Sequence, residues 1–248
     1  MVLVLLWLMP GTSGCEASTC VRPPTCWSTR VPESHPPRHQ CPDNDLCRCS
    51  NTTLDCSSHY GNLTYVPYDE GSFRILNFSN NALRRISSTD FFANVSDTVR
   101  VVDLFKNNLV HIVPGVFDRL SKLEWLQLGG NPLSFKDVFA VNFPATVKNL
   151  DVQCMGYLEE KFSHLFGSLT KLTVLDIGES KVGLLYSETF ASFTGLTWLY
   201  LYGNALTYIP DGAFDGMQSL TFLHMDSNRI QTISQFTFGK KVAKRPDK

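Results

Sequence analysis

Leu196-Thr-Trp-Leu-Tyr-Leu-Tyr-Gly-Asn-Ala-Leu206 decides how this chain folds. Leucines stand at positions one, four, six and eleven and an asparagine at nine, giving L-x-x-L-x-L-x-x-N-x-L. Side chains two apart on a strand share a face, so positions four and six point the same way. The frame recurs on both sides of this stretch, starting at Phe73, Val99, Leu123, Val147, Leu172, Leu196 and Leu220, with spacings of 26, 24, 24, 25, 24 and 24 residues. Position four is Leu76, Val102, Leu126, Leu150, Leu175, Leu199 and Leu223; position six is Phe78, Leu104, Leu128, Val152, Ile177, Leu201 and Met225. Both columns are apolar in every unit. A single unit offers one short strand and can bury its inward side chains only against the units above and below, so the repeats must stack.

A period in the twenties with this pattern is that of a leucine-rich-repeat solenoid. The fold expected is an α/β array, curved and right-handed, with a parallel concave sheet, an irregular or short-helical convex side and an N-terminal disulfide cap. Position nine holds Asn81, Asn107, Asn131, Asn204 and Asn228, amides suited to satisfying backbone groups where the chain turns off the strand. Met155 and Ser180 replace them in repeats four and five, whose turns are therefore expected to be irregular. Phe92, Phe117, Phe190, Phe214 and Phe238 recur near position 19 or 20 and read as a convex core spine, each contributing about 1.5–3 kcal/mol on burial.

Positions two, three, five, seven and eight are expected to face solvent on the concave side. Position three gives Ile75, Val101, Trp125, Asn149, Val174, Trp198 and Phe222; position five gives Asn77, Asp103, Gln127, Asp151, Asp176, Tyr200 and His224; position seven adds Phe105 and Tyr202. Large aromatics thus occupy positions the core does not require, and exposed aromatic clusters anchor protein interfaces. The candidate ligand-binding residues are Trp198, Tyr200, Tyr202, Phe222 and His224 across repeats six and seven, with Phe105 and Trp125 as a second group nearer the cap. Rings partly covered by neighbouring strands are the structural alternative. Asp103, Asp151 and Asp176 share one column and read as solvated surface charge.

The rest of the chain points to export. Val2 to Leu8 is an apolar run followed by Pro10, Gly11 and small residues, so residues 1–14 read as a signal peptide, too short to cross a bilayer. Residues 15–40 are rich in proline and read as an extended, poorly ordered leader. Seven of the eight cysteines fall within residues 15–56, a density suited to an oxidising compartment. Cys41, Cys47, Cys49 and Cys56 form a C-x5-C-x-C-x6-C cluster in residues 41–72, directly ahead of the repeats at 73–239. A zinc site is the competing reading of that spacing, and export favours disulfides. Cys20 and Cys26 could close a small loop. If cleavage removes Cys15, Cys154 is left unpaired by arithmetic, and a half-buried inert thiol is the simplest reading of it. Sequons at Asn51, Asn62, Asn77 and Asn94 could accept N-glycans; a sugar on Asn77 would sit on the concave face and push binding toward the C-terminal repeats.

Composition excludes much. With 22 basic and 23 acidic residues the chain has no bias toward polyanions, so no nucleic-acid partner is expected, and residues 240–248 read as a solvated basic tail. His35 and His39 lie among prolines, which disfavours a metal role. His224, Asp226 and Ser227 are strand neighbours whose side chains alternate, so they do not read as a catalytic trio. No phosphate loop or hydrolase motif is present, and no enzyme activity, cofactor or metal is expected.

The cysteine cluster resembles the N-terminal cap of extracellular leucine-rich-repeat proteins, in which the first cysteine pairs with the third and the second with the fourth. That resemblance implies Cys41 with Cys49 and Cys47 with Cys56. Cap, 24-residue units with a convex phenylalanine, and runs such as Leu196 to Asn204 together resemble Toll-like receptor ectodomains and variable lymphocyte receptors over residues 41–239. They are also similar to Slit-type guidance proteins and small leucine-rich proteoglycans. The irregular fourth repeat is nearer the Toll-like receptors. The resemblance implies ligand recognition in innate immunity, with a protein or microbial ligand on the concave face; the matrix, adhesion or guidance role is the alternative. No cysteine-bearing C-terminal cap follows Phe238, so the core of the last repeat is expected to lie open to water. That open edge would suit a homo- or heterodimer contact.

Overall fold

The computed structural model describes residues 3–5, 39–41, 44–57, 73–93, 95, 97–155 and 169–238. Among the described residues thirteen short strands make the framework: β1 (Leu3–Leu5), β2 (His39–Cys41), β3 (Asn44–Cys49), β4 (Thr53–Asp55), β5 (Ile75–Asn77), β6 (Arg85–Ile86), β7 (Val101–Asp103), β8 (His111–Ile112), β9 (Trp125–Gln127), β10 (Asn149–Asp151), β11 (Val174–Asp176), β12 (Trp198–Tyr200) and β13 (Phe222–His224). Eleven of them form one sheet in the order β1-β13-β12-β11-β10-β9-β7-β5-β4-β3-β2. From β4 to β13 every pairing is parallel, and equivalent residues face each other: Leu76 pairs with Val102, Val102 with Leu126, Leu175 with Leu199 and Leu199 with Leu223.

Each repeat contributes the same three residues, positions three to five, and the same next step. Position eight is left-handed in all seven units: Asn80, Lys106, Cys154, Glu179 and Ser227 have φ of 50–56°, and Gly130 and Gly203 have 69° and 62°. The chain thereby turns off the sheet, and the asparagine at position nine closes the turn. Asn107 donates from Nδ2 to the carbonyls of Phe78 (2.9 Å) and Leu104 (3.1 Å), while its Oδ1 accepts from Leu83 N. Asn131, Asn204 and Asn228 repeat this two-coil stitch. The irregular turn expected in repeat five is present: besides Glu179, Lys181 at position ten is left-handed (φ 55°), which no other repeat shows among the described residues. Ser180 replaces the amide, its Oγ donating to Gly178 O at 2.9 Å, and Asn204 Oδ1 accepts from Ser180 N. Repeat four keeps the same left-handed residue at Cys154; its residues 156–168 lie outside the described part.

The core runs between the sheet and the convex side. Positions four and six are buried in all seven repeats, most at 0% exposure. The phenylalanine spine is a stack: Phe92 on Phe117 at 5.7 Å, Phe190 on Phe214 at 6.0 Å and Phe214 on Phe238 at 5.5 Å. Phe143 joins it against Phe117 at 6.4 Å, a member that the sequence frame overlooked because it sits one residue later in its repeat. A 3-10 turn (Thr89–Phe92) and one helix, α1 (Phe135–Ala140), capped by Ser134, are the helical pieces among the described residues.

Both ends depart from expectation. The cap sheet starts at His39, two residues inside the expected leader, because β2 pairs antiparallel with β3; β3 pairs antiparallel with β4, and β4 then opens the parallel run. Cys47 and Cys56 are bonded to each other and Cys49 is also disulfide-bonded. At the far end β13 is not an open edge. Leu3–Leu5 pairs with it in parallel, Val4 opposite Leu223, and Leu223 and Met225 are 0% and 2% exposed. An apolar segment of high strand propensity meets a row of unpaired backbone groups, which is what an exposed edge attracts. The rest of residues 1–14, the leader to residue 38, Asn62, Asn94 and the basic tail lie outside the described residues.

Candidate concave binding face

Position three behaves as expected, with its side chains on the open side of the sheet. Trp198 is 42% exposed, and Trp125 and Phe222 are half-buried. Positions five and seven do not. Asp103, Gln127, Asp151, Asp176 and Tyr200 are 6%, 3%, 1%, 0% and 2% exposed, and Phe105 and Tyr202 are 4% and 5%. The acids are therefore not solvated surface charge. Each carboxylate folds back on its own chain: Asp103 Oδ1 accepts from Phe105 N, Asp151 Oδ1 from Gln153 N and Asp176 Oδ1 from Gly178 N, all at 2.9–3.0 Å. Asp55 and Asn77 make the same two-residue turn with the N–H groups of Ser57 and Ser79. A short acceptor at the end of a strand satisfies the first N–H that the sheet leaves unpaired.

Repeats six and seven replace this ladder with rings. Trp198 stacks on Phe222 at 5.0 Å, Tyr200 meets Phe222 at 5.3 Å and His224 at 6.0 Å, and Tyr202 stacks on His224 at 5.1 Å. Tyr202 also reaches back two repeats. Its ring lies over Gly178, where an added Cβ would come within 2.4 Å of a ring carbon, and its hydroxyl bonds Gln153 Oε1. Gly129 serves Asp151 and Gln153 in the same way, a Cβ there meeting Asp151 Oδ1 at 2.6 Å. The glycines at position seven beside large neighbours were the sequence signal for this packing.

His224 pairs with Asp226, and Ser227 Oγ donates to Asp226 Oδ2 at 3.1 Å. The serine thus addresses the carboxylate, not the imidazole, and the trio lacks the relay a nucleophile needs. Burial pushes the His224 imidazole below its usual 6.5, against the upward pull of Asp226. Its Nδ1 is buried with no hydrogen-bond partner among the described residues. Phe105 and Trp125 stand on neighbouring repeats, with Lys106 Nζ 6.0 Å above the Phe105 ring. Cys154, expected as an inert thiol, is instead disulfide-bonded and 6% exposed. Sequence reasoning also missed Leu184 and Tyr208, 53% and 48% exposed and one period apart on the flank.

A solenoid with one long concave sheet, parallel through the repeats, a small second sheet of β6 and β8, a cystine cap and a half-covered aromatic concave face defines a recognition scaffold. The leucine-rich-repeat family matches residues 74–133, 170–230 and 195–240, together more than half of the chain, and the chain belongs to that family. It is 23% identical over 189 residues to Toll-like receptor 2 type-1 of Gallus gallus, covering 76% of this chain and 24% of that protein. It is 27% identical over 197 residues to mimecan of Coturnix japonica, covering 79% and 55%. The chain therefore spans about a quarter of the length of the receptor and just over half of mimecan. Among solved structures, human 5T4 (Wnt-activated inhibitory factor 1, trophoblast glycoprotein) superposes with a TM-score of 0.64 at 22% identity, covering 80% of this chain and 75% of that one, a likeness of fold.

Proposed function

We propose that this chain is an extracellular recognition module of the Toll-like receptor type, taking a protein or microbial ligand on the concave face at repeats six and seven. The observation that carries the reading is the ring array from Trp198 through Phe222 to His224, with Trp198 exposed at its rim. Preorganised rings lose little entropy on binding, which is why such clusters dominate interfaces. Likeness to a Toll-like receptor over most of the chain and the cystine cap support an exported, innate-immune role. Likeness to mimecan supports the second reading, a secreted matrix or adhesion protein.

We also propose Asn51, Asn62, Asn77 and Asn94 as glycan acceptors; Asn51 is exposed and Asn77 half-buried. Signal peptidase cleavage after residue 14 would remove β1 and free the β13 edge, the surface on which a second chain would pair. Among the described residues no helix is long and apolar enough to cross a membrane.

The test presents immobilised microbial cell-envelope fractions and extracellular-matrix proteins to the secreted chain. Capture by one panel, lost at least tenfold in a Trp198→Ala/Phe222→Ala variant that melts like the parent, is the expected result, and the panel that captures decides between the two readings. Capture unaffected by those substitutions would overturn the proposed face.

A further inference from the structure

We propose that the flank of repeats five and six is a self-pairing surface, on which a second copy of this chain docks about a two-fold axis between Leu184 and Tyr208. Both residues stand at position thirteen, on the stretch that leaves the concave sheet, and both are exposed. In repeats one and two position thirteen holds Arg85 and His111, which face each other in the small second sheet. The coils keep their register on this flank further along: Ala205 N donates to Val182 O and Arg229 N to Leu206 O, in each case position ten to position eleven of the coil before. Leu184 and Tyr208 are therefore neighbours one coil apart, and Tyr186, two residues on from Leu184, is exposed as well. Large apolar side chains gathered in water, at a position that carries basic groups elsewhere in the array, mark a contact surface.

The backbone is set to present them. Lys181, at position ten of repeat five, is left-handed at φ 55°, a conformation that a residue with a long side chain adopts only at a cost. Gly183 follows, and nothing lies within 4 Å of the place its Cβ would take. Local strain beside a bare glycine leaves the chain ahead of Leu184 open to close approach by another molecule. Sequons occur at Asn51, Asn62, Asn77 and Asn94 and nowhere in repeats five to seven, so no N-glycan is attached on this flank.

The charges select a second copy as the occupant. Lys181 and Asp211 are exposed and stand at positions ten and sixteen, on opposite sides of position thirteen. Half a turn about the midpoint between Leu184 and Tyr208 exchanges repeat five with repeat six and position ten with position sixteen. It sets Leu184 against the partner's Tyr208 and Lys181 against the partner's Asp211, and symmetry makes each contact twice. The remaining residues at those positions, Ser187 and Ala205, are small and uncharged, so no like charges meet. Lys181 has contacts within its own chain, and an ammonium with three donors accommodates a further carboxylate.

This pairing does not depend on the concave face, and the experiment keeps the two apart. Sedimentation of the full chain across the micromolar range should show a monomer–dimer equilibrium. Lys181→Glu sets acid against acid and Asp211→Lys sets base against base, twice in each dimer, so each variant alone should dimerise at least tenfold more weakly. Mixed in equal amounts, the two variants meet as opposite charges at both contacts and should associate with each other as the parent does with itself. A parent that stays monomeric, or a mixture that stays monomeric, overturns the inference. So does a dimer that both single variants keep, which is held elsewhere, such as at the β13 edge. The Trp198→Ala/Phe222→Ala variant should dimerise like the parent; its dissociation would place the contact on the concave face instead.

Discussion

Repeats one to five and repeats six to seven build the same strand and use its fifth position in different ways. In repeats one, two, four and five (Asn77, Asp103, Asp151 and Asp176) that position holds a short acceptor that closes a turn on the backbone N–H two residues on, and repeat three has the longer Gln127 there. At Tyr200 and His224 the acceptor is gone, and rings pack across the strands instead. In the first region the column stabilises the coil that owns it; in the second it binds coils to each other and presents an apolar surface. The difference teaches that a solenoid separates architecture from recognition by column, so that one column can change its task partway along without disturbing the stack.

The junction between the two regions is the place to break this. Asn204 connects repeats five and six through Nδ2 bonds to Ile177 O and Leu201 O and through Oδ1, which accepts from Ser180 N and Val182 N. Asn204→Leu keeps the bulk and orphans three backbone groups, Ile177 O, Ser180 N and Val182 N, while Leu201 O keeps its bond from Asn228; at about 1–3 kcal/mol each, urea unfolding should register a loss of at least about 3 kcal/mol. A loss below about 1 kcal/mol would mean that the asparagine stitch is not what couples the two regions.

A smaller effect is expected at Gly178. The added methyl of Gly178→Ala strikes the Tyr202 ring, and overpacking of that kind costs about 1–3 kcal/mol. Thermal unfolding should show it, with near-ultraviolet dichroism reporting the displaced tyrosine. Smaller again is the bond from Tyr202 to Gln153: Tyr202→Phe should lose about 1 kcal/mol, and a double-mutant cycle with Gln153→Ala should return a coupling of similar size. Zero coupling would separate the aromatic region from repeat four.

The smallest effect is expected from acid. His224 has a folded-state pKa depressed below 6.5, chiefly by burial. The unfolded chain therefore binds the proton more readily, and stability is whole above pH 6.5 and declines as pH falls through the lowered folded value. His224→Gln should flatten that part of the stability–pH curve. A parent whose stability rises on acidification from pH 6.5 would contradict the assignment.

Much of this was legible beforehand, for a reason that also marks the limit. Columns four and six are dictated by burial alone, so their seven leucine-like entries fix strand, register and stacking. The cap was legible through the resemblance of its cysteine cluster to those of other extracellular leucine-rich-repeat proteins, of which the Cys47–Cys56 bond is seen. The binding face was legible only in part: Trp198 and Phe222 stand where periodicity puts them, whereas Tyr200, Tyr202 and Phe105 were expected in solvent and are buried. Periodicity assigns a side chain to a face. It does not tell whether a ring lies flat over a glycine one coil away, as Tyr202 does over Gly178, or whether an aspartate turns back on its own backbone.

Sequence alone thus determined the repeating unit, the parallel register and the phenylalanine spine, because each follows from removing apolar surface from water at a fixed period. Tertiary structure decided which polar and aromatic residues of the concave face remain available, that β13 is paired with Leu3–Leu5, and that Cys154 is oxidised. Those outcomes depend on distances between residues far apart in the chain, which only the stacked coils define.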